Sequence, residues 1–167
     1  VVSYTLGDDP TVRQTSLAVD DATTLDDIRL QVCTQRRVTA DNEFDLQVDD
    51  VDGETMTARL VVRRRSGTDR LAFDAIKGTV LFGAKAAVEA GSPERVLDAD
   101  EAETSIGITF TVNRCDPHAV GETTRKYGLD VYVAAGDIEA QRIDVPVDEF
   151  VPRFDEMLAH CKERTGQ

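Results

Sequence analysis

Residues 104–122 read TSIGITFTVNRCDPHAVGE, and the first half of this stretch decides the fold class. Its large apolar side chains stand at every second position, so they share one face of a pleated strand. This strict alternation is the strongest strand signal in the chain and predicts a sheet with one buried face. The alternating residues are Ile106, Ile108, Phe110 and Val112.

The second half of the same stretch predicts a short helix after Cys115. Asp116 precedes Pro117, and an aspartate at the N-cap accepts hydrogen bonds from the free backbone N–H groups of the first turn. Proline at the first helical position loses nothing by lacking an N–H. We expect this helix to extend to about Thr123, with Glu122 near its end.

Alternation and turn residues predict strands over most of the remaining chain. Two more triplets alternate strictly, at 28–32 and at 44–48, and Asp and Gly residues at 49–53 and 136–137 supply turn chemistry. We predict strands over residues 12–19, 27–33, 43–48 and 55–65, a strand pair over 69–75 and 77–82, and a second hairpin formed by 129–133 and 143–145.

The C-terminus changes to a helical period. Its apolar residues recur every three to four positions, which predicts an amphipathic helix lying on the sheet. Asp148 is the expected cap, and Pro152 is compatible with a helix only in the first turn. The predicted apolar stripe consists of Phe150, Phe154, Met157, Leu158 and Cys161.

Together these patterns predict a mostly β fold, α+β at its margins, with sandwich-like sheets, a short helix after Cys115 and a C-terminal amphipathic helix. Residues 1–83 form a β-rich half, and residues 105–167 form hairpins closed by the helix. Residues 84–104 read as a connecting segment, because they are rich in Ala, Glu and Asp and contain Gly91, Ser92 and Pro93. All three parts are compatible with one domain.

Composition restricts the partners of the chain. Its 167 residues carry a formal net charge of −13, so nucleic acids and anionic membrane surfaces repel it. No segment is apolar and long enough to span a bilayer, and membrane contact would need a lipid anchor or a leader. The chain lacks Trp and has six Phe and three Tyr, so its core must be largely aliphatic.

The three cysteines predict one disulfide and one remaining thiol if the protein is exported. A Cys115–Cys161 bond would staple the C-terminal helix to the sheet and contribute roughly 3 to 4 kcal/mol by limiting the unfolded chain. Cys33 is the rival partner for Cys115, and sequence alone leaves this choice open.

No constellation for catalysis or metal binding stands out. Cys115 and His118 lack a third, orienting group, and a zinc site would need His160 and Cys161 to converge on them. The acidic runs at 49–54 and 98–101 invite a calcium interpretation but lack the EF-hand spacing, so we interpret them as solvated turns. The arginine runs at 36–37 and 63–65 favour internal ion pairs. We therefore assign no catalytic, cofactor or metal residues.

The run Arg114, Cys115, Asp116, Pro117, His118, Ala119 and, three positions on, Glu122 resembles the RCDPHA-x-x-E stretch of uncharacterised exported proteins and lipoproteins of actinobacteria. The resemblance extends over about residues 25 to 163. It implies an exported protein of the cell envelope with a β-sandwich-like body, and it carries no activity. This chain departs from the pattern in lacking Trp and in having Thr124 where similar proteins place Lys, and Arg125 or Lys126 is the expected substitute partner of Glu122.

The function that these observations favour is a non-enzymatic extracytoplasmic β-domain, secreted or lipid-anchored at a bacterial envelope, with an interaction or structural role and a protein or envelope partner. One alternative is a metal- or small-ligand-binding module that uses the acidic turns or the region from Cys115 to His118. Another is a hydrolase with an unrecognised site.

Overall fold

A computed structural model describes residues 2–6, 9–15, 22–92 and 95–166 of the chain. They belong to two compact units, Val1–Leu30 and Gln31–Gln167. The first unit contains an antiparallel hairpin of β1 (Val2–Leu6) and β2 (Asp9–Thr15) together with the beginning of helix α1 (Ala22–Asp41). The second unit contains the remainder of α1 and all later elements.

Within the described residues, the second unit has two antiparallel four-stranded sheets. Sheet I has the order β3 (Asn42–Asp52), β4 (Thr55–Arg64), β8 (Glu103–Val112) and β6 (Phe82–Ala86). Sheet II has the order β10 (Ile138–Val145), β9 (Leu129–Ala135), β5 (Leu71–Lys77) and β7 (Val96–Leu97). The other elements are helix α2 (Pro117–Glu122), a 3₁₀ turn (Asp148–Phe150) and helix α3 (Val151–Thr165).

The two sheets share one hydrophobic core, as expected for a sandwich-like fold. Every second residue of β8 from Ile106 to Phe110 is buried, and β9 shows the same alternation from Leu129 to Ala135. Because one face of each strand is apolar, both sheets bury that face in a common cluster. The prediction of a mostly β fold with a short helix and a C-terminal helix is confirmed.

The predicted strand over 27–33 is wrong, because these residues lie in helix α1. Over a short apolar run, alternation alone does not separate strand from helix. The 20 residues of α1 contain no Gly or Pro, and Leu25, Ile28 and Val32 also recur at helical spacing. All three are exposed, so no buried sheet face selects the strand.

Two further strand predictions have different outcomes. Of the strand predicted over 12–19, residues 12–15 belong to β2 and residues 16–19 lie outside the described ranges. The strand pair predicted over 69–75 and 77–82 is wrong, because β5 and β6 belong to different sheets. Local patterning located these strands approximately, but pairing depends on β8 and β9, which come later in the chain.

Helix α3 covers the core with the stripe that the sequence predicts. Phe154, Met157, Leu158 and Cys161 are buried, while Phe150 is half-buried and packs on the cluster from the 3₁₀ turn. The expected cap at Asp148 is wrong: α3 begins at Val151, its N-cap position is Phe150, and no side chain caps it. Pro152 lies in the first turn of α3, which begins three residues after Asp148.

Phe154 makes the central contact of this helix. Its ring centroid lies 4.8 Å from that of Phe82, 5.4 Å from Phe110 and 5.7 Å from Tyr127. Phe82 and Phe110 belong to sheet I, and Tyr127 lies two residues before the β9 strand of sheet II. One side chain therefore joins helix α3 to both sheets.

We expect Phe154→Ala to lower the free energy of unfolding by about 3–5 kcal/mol, because it leaves a cavity among three aromatic rings. Glu163→Ala, at an exposed position of the same helix, should change it by less than about 0.5 kcal/mol. Equilibrium unfolding in urea measures both values. Equal effects of the two substitutions would refute the central role of Phe154.

Candidate functional site

The segment Arg114–Glu122 lies at the end of β8, where the chain leaves sheet I. The backbone N–H groups of Asn113 and Arg114 donate to the carbonyl of Leu81 at 2.8 and 3.3 Å, so this exit is fixed to the loop before β6. Asp116 has extended backbone angles and its carboxylate accepts from the Ala119 N–H at 2.9 Å. The predicted Asp116 cap and Pro117 helix start are confirmed.

A disulfide joins the start of this segment to helix α3. The sulfurs of Cys115 and Cys161 are bonded, and both residues are buried. This confirms the leading pairing over the rival one, and Cys33 is an exposed free cysteine on α1. The bond holds α2 and α3 together because Cys115 directly precedes the α2 cap.

The double variant Cys115→Ala/Cys161→Ala should lose roughly 4 kcal/mol of unfolding free energy, since the bond closes a loop across a sequence separation of 46 residues. Cys33→Ala is the matched control and should leave stability unchanged, because its side chain is exposed and unbonded. Chemical denaturation of all three proteins without reductant gives the comparison. A double variant as stable as the control would contradict this role of the bond.

The charged residues of the motif pair locally. Arg114 binds Asp116 at 3.1 Å, and His118 Nε2 lies 3.1 Å from Glu122, both of them largely exposed. The hydrogen bond from Ala119, supported by Arg114, holds the pKa of Asp116 below its usual range. Glu122 therefore contacts His118 rather than Arg125, which was an expected substitute partner.

The disulfide removes both sulfurs from the alternative roles considered for this region. A sulfur bonded to Cys161 supplies no thiolate, so Cys115 and His118 do not form a nucleophile and base. Neither sulfur is available as a zinc ligand. Among the residues that the structure describes, no group of three His, Cys, Asp or Glu side chains is placed to hold a metal ion.

Three carboxylates of the acidic turns form ion pairs. Asp49 binds Arg59 at 2.8 Å, and Glu54 binds Arg164 of helix α3, which lowers the pKa of Glu54 through that hydrogen bond. In the second run, Asp98 accepts from Arg70 at 2.9 Å. These contacts occupy oxygens that a calcium site would need.

The arginine runs also behave as expected for internal partners. Arg63 binds Glu103 at 2.7 Å, Arg65 lies 3.3 Å from Glu43, and Arg37 lies 2.5 Å from Asp69. Arg64 instead donates hydrogen bonds to backbone carbonyls. Four of the five arginines in the two runs therefore have partners within the same chain.

A cleft of about 640 Å³ adjoins the motif, and sequence reasoning did not find it. Its two walls are residues 78–80, before β6, and residues 122–125, which begin at the last residue of α2. Thr79 fixes the first wall, since its hydroxyl donates to the Lys126 carbonyl at 2.9 Å and accepts from the Phe82 N–H at 3.3 Å. Gly78 is required there, because a Cβ would lie 2.1 Å from the Phe82 carbonyl oxygen.

The cleft is lined by hydroxyl, aliphatic and charged groups. Thr79, Thr123 and Thr124 supply hydroxyls, and Val80 presents an aliphatic side chain that is 58% exposed. Exposed valine in a loop is a weak sequence signal, because single apolar residues are common on protein surfaces. Only its position next to the motif distinguishes it.

The second wall continues into a loop that is held on both sides. Arg125 binds Asp130 at 2.8 Å and Asp144 at 2.5 Å, so it bridges the start of β9 and the end of β10. Tyr127 donates its hydroxyl to Asp155 of α3. Burial, together with this hydrogen bond, raises the pKa of Tyr127 to about 12.

Tyr127 should therefore ionise late in an absorbance titration, at a pH of about 12. Its pKa is raised above the unfolded value of about 10, so its contribution to stability is complete below pH 10 and is lost as the pH rises towards 12. Tyr127→Phe should remove the late step, whereas Tyr132→Phe should keep it. A late step that persists in Tyr127→Phe would disprove the assignment.

Comparison with known proteins gives no relative: no protein-family model, no curated protein and no solved structure matches the chain. Among the described residues, no helix combines the length and apolar character that crossing a membrane requires. The disulfide is consistent with an extracytoplasmic protein, because such bonds persist in oxidising compartments.

Proposed function

We propose that this chain is a non-enzymatic, extracytoplasmic interaction domain of a bacterial cell envelope, secreted or lipid-anchored, and that it contacts a protein partner through the cleft between residues 78–80 and 122–125. The family resemblance of the Arg114 to Glu122 motif supports the envelope location. The disulfide supports it independently, since cytosolic thiols are normally kept reduced.

The observation that carries the proposal is the position of the disulfide beside the cleft. Cys115 is bonded to helix α3 and directly precedes the Asp116 cap, so the bond anchors α2. Glu122, the last residue of α2, begins one wall of the cleft. A wall held in this way loses little conformational entropy when a partner binds, which favours a recognition surface.

The chemistry of the cleft fits recognition of a protein surface. An exposed aliphatic side chain at Val80, surrounded by threonine hydroxyls, combines an apolar contact with polar groups around it. The His118 and Glu122 pair lies at the same end and is exposed. Because both members of this pair point to solvent, they are available to a partner.

The proposal is tested with a photo-crosslinking amino acid in place of Val80, expressed in the native host. The matched control carries the same amino acid in place of Asp137, an exposed residue of the β9–β10 turn. We expect a discrete crosslinked species with the Val80 variant alone, competed by excess unlabelled protein. No crosslink, or equal crosslinking from both positions, would refute the assigned surface.

The same preparation tests the compartment. Protein isolated from the host without reductant, denatured and alkylated, should carry one label, on Cys33, because Cys115 and Cys161 are bonded. Three labels would show that the bond is reduced in place and would contradict an extracytoplasmic location.

A further inference from the structure

A second cavity, of about 380 Å³, lies where the edges of the two sheets approach each other. It is lined by residues 75–77 of β5, residues 84–86 of β6, the following segment 87–90, and Arg95. In the described part of the chain, β6 is the last strand of sheet I, and β7 pairs with β5 only at Leu71 and Ala72. The cavity therefore lies beside two open strand edges.

Arg95 is the unusual residue of this cavity. It is only 5% exposed, and its Nε and Nη2 atoms are sealed from solvent without a hydrogen-bond partner among the described residues. These two nitrogens form one edge of the planar guanidinium. That edge presents two parallel N–H donors, the geometry that binds a carboxylate in bidentate fashion.

Burial without a partner is unfavourable for this side chain. Desolvation lowers the pKa of Arg95, and the negative charges of Asp74 and Glu89 offset part of this effect from a distance. Neither carboxylate forms an ion pair with Arg95, and water does not reach the free edge. An anion that bound this edge would remove the cost of burying two unused charged donors.

The walls of the cavity indicate an apolar body for that anion. Five alanine methyl groups line it, and the side chains of Lys77 and Lys85 are exposed. Lys77 is engaged elsewhere, because its ammonium lies 4.6 Å from the centre of the Tyr132 ring. Among the cations of the lining, Arg95 is the one that is buried, so we take it as the anchor. The alanines are Ala75, Ala84, Ala86, Ala87 and Ala90.

The lining carries charges of both signs, since Lys77, Lys85 and Glu89 lie there with Arg95. Asp74 and Glu89 lie near enough to act on Arg95, and the chain as a whole carries a net charge of −13. The free edge of Arg95 nevertheless favours a carboxylate, because its two parallel N–H donors match the two oxygens of that group and its one charge compensates one negative charge.

We propose that this cavity binds a monocarboxylate with a short apolar chain, whose carboxylate pairs with the Nε and Nη2 edge of Arg95 while its chain lies on the alanine methyl groups. Binding in this way requires a rotation of the Arg95 side chain, which already lines the cavity, so that the sealed edge turns towards it. Two sources supply this chemistry: a free aliphatic acid, and the C-terminus of a peptide that lies along the open edge of β6. The site is separate from the cleft next to α2.

The test is thermal unfolding of the intact chain with sodium hexanoate, hexan-1-ol, N-acetyl-alanyl-alanine and the C-terminal amide of that peptide. Hexanoate or the free peptide should raise the melting temperature by about 3–6 °C at roughly tenfold its Kd, while the alcohol and the amide should not. The stronger ligand of the two identifies the source. No shift with either carboxylate up to about 20 mM would overturn the proposal.

The matched variants are Arg95→Met and Arg70→Met, the latter at an exposed arginine that binds Asp98. Arg95→Met should weaken carboxylate binding roughly 10- to 100-fold and leave the ligand-free protein as stable or more stable, since it removes a buried charge without a partner. Arg70→Met should bind like the unmodified chain. An unchanged response in Arg95→Met, or an equal response to hexan-1-ol, would reject the site.

If Arg95→Met does not fold, alanine-methyl NMR of the unmodified protein decides. Hexanoate should shift the methyl resonances of Ala84, Ala86 and Ala87, and hexan-1-ol should not. Shifts confined to alanines outside the cavity, or no shifts, would overturn the proposal without any variant.

Discussion

The packing of Phe154 between the two sheets is the contact on which the second unit depends. The chain has no tryptophan and few other aromatic residues, so few side chains are large enough to fill the space between a helix and two sheets. Phe82, Phe110 and Tyr127 meet Phe154 from three different parts of the sequence. The bond between Cys115 and Cys161 then secures the same helix one to two turns later. Aromatic packing and the disulfide thus fix the helix to which α2 and its cleft are anchored.

Arg64 also holds separate segments of the second unit together, and it does so through hydrogen bonds to backbone carbonyls rather than to side chains. Its guanidinium donates to the carbonyls of Asp69 at 2.9 Å, Asp98 at 2.9 Å and Glu101 at 3.1 Å. Five donors in a rigid plane allow one arginine to hold separate loops in this way. Because the loop after β7 is held to the end of β4, the chain that carries Arg95 is fixed close to the core.

The sequence predicts those parts of the fold in which a residue pattern is compatible with only one kind of secondary structure. The alternation from Ile106 to Val112 has only a strand as its solution, and Asp116 before Pro117 is specific for a helix start. The apolar stripe around Phe154 has a helical period that no strand shares. For Cys115 the predicted helix on the sheet favours Cys161 as the partner but leaves Cys33 open, and only the structure decides between them.

Other parts depend on contacts that no local pattern contains. Ile28 and Val32 fit a strand together with Leu30 and a helix together with Leu25, and the length of the run without glycine or proline decides in favour of the helix. The separation of β5 from β6 follows from pairing with strands about 25 to 60 residues later. The cleft is formed by two loops more than 40 residues apart. Such features become visible only after the sheets are assembled.

Arg95 and Arg125 show why residue type alone does not identify a binding site. Arg125 uses its donors on Asp130 and Asp144, so its charge is already compensated within the fold. Arg95 is more deeply buried, and two of its nitrogens lack a partner among the described residues. In the sequence, neither arginine belongs to a motif that distinguishes it from the other. The distinction arises from burial, because a charge removed from water without a partner is unfavourable, and a ligand of opposite charge is one way to relieve that cost. Burial thus makes Arg95 the residue whose chemistry determines which ligands the proposed site can bind.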